Sequence, residues 1–165
     1  MALLLRDYRT NGYTLATSEA GVLPLCSEWR AVDTWGINDQ WIAHHGVMDA
    51  SYLDRYKPEA IAFHENLTAG RAPYYLQWSS IVATFKAYVT HGDYKRAAFG
   101  VSPFDLHYYY VRGDLDHSAE IIRRIQSTEY IWPDWLIGGL KCMNLAAFNL
   151  RELSPWTNQR MTADQ

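Results

Sequence analysis

Apolar positions in the first part of the chain switch between helical and strand spacing. Residues 2–10 read as a short amphipathic helix that stops at Asn11-Gly12, a good helix-ending pair. Tyr13 to Thr17 alternates as a strand does, and Glu19 to Gly21 interrupts it. Trp29 to Asp33 forms a second strand candidate. Gly36 then breaks the pattern, and Asn38 or Asp39 can cap a helix over 39–45. Asp49 caps the next segment, where Tyr52, Leu53 and Tyr56 share a helical face. Lys57-Pro58 ends it, because the residue before a proline is steered out of the helical region. Ala60 to His64 is a third run of strand length. Strand, helix, strand, helix, strand at this spacing predicts parallel pairing with helices laid on the sheet.

Pro73 opens the longest helix candidate, in which Trp78, Ile81, Val82, Phe85 and Val89 recur at three- and four-residue steps down to His91-Gly92. Tyr94 to Phe99 and Leu106 to Val111 read as two strands around a turn at 100–103. Asp114 or Asp116 caps a helix over 117–127, with Ala119, Ile122 and Ile125 facing inward and Ile121 as a further candidate. From Tyr130 the apolar run is broken by Pro133, Asp134 and Gly138-Gly139; residues 140–150 can form a helix, and 154–165 are polar. The pattern predicts one α/β domain over 1–150, a small, mostly parallel Rossmann-like sheet flanked by helices and extended by a late strand pair. A polar C-terminal tail follows at 151–165.

Composition narrows the function classes. Of 165 residues, 48% are hydrophobic and 20% charged, which supports a core and argues against disorder. Fifteen Lys+Arg against 18 Asp+Glu leave a formal charge of −3, the wrong sign for tracking a phosphate backbone, so no nucleic-acid partner is expected. No stretch of about 18 apolar residues occurs, so no segment reads as spanning a bilayer by itself. Met1 to Leu5 is too short for a signal-peptide core. GxGxxG, GxxxxGK[ST], CxxC and HExxH are all missing, so no dinucleotide, nucleoside triphosphate or zinc cofactor is expected. His44 and His45 would point about 100° apart on a helix and rarely bind one ion together. Recruiting His64, His91 with Asp93, or His107 requires a fold that the pattern does not specify, so no metal site is expected. Cys26 and Cys142 have no local base, and a bridge between them stays open in an oxidising compartment. Asn66-Leu67-Thr68 matches the glycosylation sequon, which decides nothing without a secretory signal.

The segment 19–43 carries the candidate chemistry. Glu19, Asp33 and Asp39 fall at or just beyond the carboxyl ends of successive strand candidates, where loops and helix N-termini converge on ligands. Trp35 and Trp41 flank the same loop. Carboxylates beside flat aromatic faces suit hydroxyl-rich ligands. A competing use exists for each residue: Glu19 and Asp33 satisfying loop amides, Asp39 capping a helix, and the tryptophans filling the core.

The segment reads Glu19-x-Gly21-x-x-Pro24-Leu25-Cys26-Ser27, then Asp33-x-x-Gly36-Ile37-x-Asp39-x-x-Ile42-Ala43. It resembles the soluble C-terminal domain of GT-C type membrane glycosyltransferases, the lipid-linked-sugar-dependent enzymes that include terminal arabinofuranosyltransferase-like and mannosyltransferase-like proteins. There a tyrosine pair stands in place of Leu25-Cys26 and a leucine in place of Ile37. Leu53 to Ala62 is similar to the family's helix-Lys-Pro-Asp-x-Ile lead-in, with Glu59 for aspartate, and Tyr108 to Arg112 is similar to a late strand. The resemblance implies a domain outside the cytoplasmic membrane, on the extracytoplasmic face in bacteria. Its partner would be a transmembrane glycosyltransferase domain, in cis or in trans, and it would bind or position acceptor glycan. The family's catalytic carboxylate lies on a loop between membrane helices, so the resemblance carries no catalytic residue to this chain. Glu19, Asp33 and Asp39 carry over only as acidic positions. Tyr130, Trp132, Trp135 and Phe148 would either pack on a membrane partner or fold back over the sheet. Two rival expectations remain: a structural docking module, and a small independent hydrolase or transferase using Asp33 or Glu19 with His44 or His64.

Overall fold

A computed structural model describes residues 1–19, 21–66, 74–101 and 105–128. Helix α1 (Ala2–Arg6) is followed by a 3-10 turn at Arg9–Asn11, so the expected helix over 2–10 divides before Gly12 takes φ 72°. Strand β1 (Thr14–Thr17), helix α2 (Val22–Ser27) and strand β2 (Arg30–Asp33) come next. Helices α3 (Gln40–His45) and α4 (Ala50–Tyr56) are capped by the side chains of Asp39 and Asp49, as polar residues ahead of apolar runs should do. Strand β3 (Ala60–Asn66), helix α5 (Tyr74–His91), strands β4 (Tyr94–Val101) and β5 (Asp105–Arg112), and helix α6 (Ser118–Gln126) complete the described fold.

The five strands form one mixed sheet in the order β2-β1-β3-β5-β4. β1 pairs parallel with both β2 and β3, while β5 runs antiparallel to both β3 and β4. The late pair therefore joins through β5, and two of the four pairings are antiparallel. β4 carries a register shift between Arg96 and Ala98.

Alternation along the strands sorts the core into two layers. Ala16, Val32, Ile61 and Phe63 face α3, α4 and α5, where they meet Ile42, Tyr52, Leu53, Ile81 and Phe85. Leu15, Ala60, Ala62 and Val111 face the other way, toward Leu5 and Tyr8 of the N-terminal segment and Ile121 and Ile125 of α6. Phe63 stacks on Phe85 at 5.0 Å and on Tyr108 at 4.8 Å, which ties β3 to α5 and β5.

Helix α2 is not among the expected elements; Pro24, at its third position, sacrifices an amide that has no intrahelical partner. Two expectations for α6 change. Helix α6 begins at His117 without a side-chain cap, so neither Asp114 nor Asp116 does that work. Ile121 and Ile125, one turn apart, form its buried stripe, while Ala119 is exposed and Ile122 half-buried. Pro73, the turn at 102–104, Cys142, the stretch 130–150 and the tail 151–165 lie outside the described residues. Among the described residues, no helix is long and apolar enough to cross a membrane.

At the amino ends of the parallel strands a mostly buried clamp holds three strands together. Glu59 accepts the Thr14 amide at 2.6 Å and pairs with Arg112 Nη2 at 3.0 Å. Arg112 also donates to the Lys57 carbonyl and pairs with Asp114. The Lys-Pro-Glu lead-in thus joins β1, β3 and β5.

Candidate functional site

The loop that leaves β2 is held from within. Asp33 is buried and accepts the amides of Trp35 at 3.1 Å and Asn38 at 2.8 Å. Gly36 turns with φ 76°, and a Cβ there would lie 2.8 Å from the Ala43 amide nitrogen. Asp39 caps α3 through Ile42 N at 3.1 Å and accepts the Tyr52 hydroxyl at 2.7 Å. Trp41 stacks on Tyr52 at 4.4 Å and on His45 at 4.5 Å. Asp33, Gly36, Asp39 and Ile42 of the Asp33–Ala43 pattern thus have structural duties, whereas the Ile37 and Ala43 side chains are exposed.

Of the five sequence-derived candidates, Asp33 holds its own loop and the other four separate into two contact groups. Asp39 and Trp41 belong with Tyr52 of α4. Glu19 and Trp35 belong to a cluster at the carboxyl ends of β1 and β3, beside the Asp33 loop. There the Thr17 hydroxyl accepts the Glu19 amide at 2.9 Å, and Ser18 extends the sheet ladder by accepting the His64 amide on its hydroxyl at 3.2 Å. These bonds aim the Glu19 carboxylate at His64, with Oε1 2.7 Å from Nδ1. Hydrogen bonding to His64 holds the Glu19 carboxyl below its ordinary range, against an opposing push from burial. The His64 ring lies 4.3 Å from Trp78 of α5 and 5.7 Å from His107, its register partner on β5. Trp78 in turn stacks on Trp35 at 4.8 Å.

Further along β3, Glu65 accepts from Lys86 Nζ at 2.7 Å and from the Tyr108 hydroxyl at 3.0 Å. Burial pushes the Glu65 carboxyl up, but the Lys86 and Tyr108 hydrogen bonds outweigh it and the net shift is downward. Burial and then Glu65 push the Tyr108 phenol up, so it remains a donor.

The chemistry of the His64 group follows from its nitrogens. A carboxylate only accepts, so Nδ1 carries the proton shared with Glu19, and the neutral ring then presents a lone pair at Nε2. Ser18 Oγ lies 3.3 Å from that same Nδ1. A nucleophile relay places the hydroxyl and the acid on opposite ring nitrogens, so this is no serine relay. Among the acid and imidazole candidates, only Glu19 and His64 are paired in this way; His44 is exposed on the last turn of α3. Among the described residues, no group of three or more His, Cys, Asp or Glu is placed to hold a metal ion. Ser18, Trp78 and His107 were not singled out as members of this site from sequence. The Ser18-Glu19 adjacency was available, whereas the His64–His107 pairing appears only once β5 lies beside β3.

A separate cleft of about 560 Å³ lies at the amino end of the sheet, bordered by Asp54, Lys57, Tyr88, Tyr94, Arg112 and Asp114. Its Arg112 is already shared between Glu59 and Asp114, and the Tyr94 hydroxyl donates to the Pro58 carbonyl at 2.7 Å.

Fold and site together define an α/β domain with a mixed five-stranded sheet and a carboxylate–imidazole pair at the carboxyl ends of its parallel strands. Residues 1–113 match a family described as a domain of unknown function (DUF8728), and the chain belongs to that family. No curated protein and no solved structure matches it.

Proposed function

We propose that this is a non-catalytic, extramembranous accessory domain of a lipid-linked-sugar-dependent glycosyltransferase of the GT-C type, which binds or positions acceptor glycan. The observation that carries the binding reading is the Glu19–His64 pair at 2.7 Å, set beside the Trp35–Trp78 stack at the carboxyl ends of β1 and β3. Polar groups next to an indole face suit a sugar ring, and this end of an open α/β sheet is where ligands gather. The parallel β2-β1-β3 half supports a Rossmann-like description of that part of the sheet. Partner and location follow from the Glu19–Ala43 resemblance: a transmembrane glycosyltransferase domain on the extracytoplasmic face of a bacterial membrane. Asp33 and Asp39 serve this reading by shaping the loop and α3.

The test is an NMR titration of the chain with short mannose- and arabinose-containing oligosaccharides. The expected result is saturable shifts at Glu19, Trp35 and His64 with weak affinity, as an open platform has little enclosed area. Oligosaccharides that leave all three unmoved would overturn the proposal.

The same pair favours a second reading, an independent hydrolase or transferase in which Glu19 orients His64 as a general base. Turnover of a glycoside by the purified chain, abolished in His64→Gln, would select it over the accessory role.

A further inference from the structure

We infer that the ligand group recognised at this edge is an alcohol hydroxyl, held between His64 Nε2 as acceptor and the indole N–H of Trp78 as donor; this rests on the glycan-binding reading above. Trp78 is 7% exposed, and its Nε1 has no hydrogen-bond partner among the described residues. A buried donor without an acceptor is costly and is rarely left so unless something else occupies the place. The ring carrying it lies 4.3 Å from the His64 ring. His64 supplies the complementary need. With Nδ1–H directed at Glu19, Nε2 offers a lone pair and has no hydrogen-bond partner among the described residues.

A donor and an acceptor carried on two adjacent rings, with centroids 4.3 Å apart, select the ligand chemistry. A hydroxyl both donates and accepts, so it satisfies His64 and Trp78 together. Carboxylate oxygens satisfy Trp78 alone, and phosphate, although its P–OH can donate to His64, is opposed like them by the Glu19 charge. An ammonium satisfies His64 alone. The groups facing His64 are Glu19 and Ser18 from the β1 exit, Trp78 from α5 and His107 from β5. Glu19 touches no ligand in this arrangement and acts as a positioning residue that fixes the ring tautomer.

Two measurements on the whole chain test this. In the ligand-free chain at neutral pH, the imidazole ¹⁵N shifts of His64 should report the Nδ1–H tautomer, and Glu19→Ala should mix in the other tautomer. A free ring already carrying its proton on Nε2 overturns the inference whatever binds. In the second, a panel of methyl glycosides is titrated while the Trp78 indole N–H signal is followed, with inorganic phosphate and acetate as controls. Glycosides should move that signal and the controls should not. Trp78→Phe keeps the ring and deletes the donor. Its glycoside affinity should fall about fivefold, the worth of one neutral hydrogen bond, while its urea midpoint holds or rises. Unchanged affinity overturns the inference. Glycosides that shift Glu19 and Trp35 but leave the Trp78 indole and His64 ring unmoved would preserve glycan binding and reject the hydroxyl bridge. Absence of shifts everywhere rejects both.

Discussion

Both carboxylate oxygens of Asp33 are engaged by amides of the loop that it begins. Asp33→Ala leaves those amides without their acceptor in a buried place and should lower stability by about 2–3 kcal/mol in urea denaturation. An unchanged midpoint would release Asp33 from this duty. Gly36→Ala should cost at least about 1–2 kcal/mol, because it combines a left-handed backbone with a Cβ pressed against α3. Glu19 and Glu65 place the pH response. Each carboxyl is held below its ordinary value of 4.5 in the fold, so each contributes stability that is full above that value. The contribution is lost as pH falls through the lowered folded value. The stability gap between the wild type and Glu65→Gln should therefore be open at neutral pH and close in acid; a pH-independent gap would contradict it. At this scale the sequence displayed the right residue types but not their allegiance. Aspartates that hold loops and cap helices look the same in sequence as aspartates that hold sugars. Glu19 is distinguished only by His64, which lies on a different strand.

Among the elements, the clamp at the amino end does most to fix the strand order. Arg112 and Glu59 are mostly buried, with side-chain exposures of 23% and 16%. Arg112→Met strands the Glu59 carboxylate against the Thr14 amide alone and should cost roughly 3 kcal/mol, less than a wholly buried pair would where water still reaches it. Equal unfolding midpoints for Arg112→Met and wild type would count against the clamp. The strands themselves were legible as short apolar runs between turn residues, and Asp39 and Asp49 announced two helices through their caps. Which strand lies beside which was not legible. Local spacing says nothing about whether β4 or β5 meets β3, and that choice brings His107 to His64. Pro24 hid α2, because proline reads as a breaker unless its place in the first turn is known. The inward face of α6 was partly legible: Ile125 and the further candidate Ile121 are buried and Ile122 packs half-buried on the same layer, but Ala119 is exposed.

For the molecule as a whole, the family match and the folded layers end at different places. The match stops at residue 113, yet α6 places Ile121 and Ile125 against Leu5, Tyr8 and Val111. Its Arg124 pairs with Asp7, and its Glu120 accepts the Tyr8 hydroxyl at 2.7 Å. A chain ending at Gly113 should be less stable than one ending at Thr128 by about 3–6 kcal/mol, the value of burying two isoleucines. Matching unfolding curves would show that α6 is dispensable. The sheet's two outer strands differ in how they meet solvent. β2 is only four residues long, and its Arg30 lies 4.8 Å over the ring of Tyr56. β4 is twice that length, but its register shift interrupts the ladder beside the exposed cations Lys95 and Arg96. A border whose ladder is broken by such a shift is a poor template for an identical border, and its Lys95 is already paired with Asp93 at 3.0 Å. The irregularity in β4 therefore works as insulation, discouraging copies of the domain from adding edge to edge into fibres when the chain is concentrated.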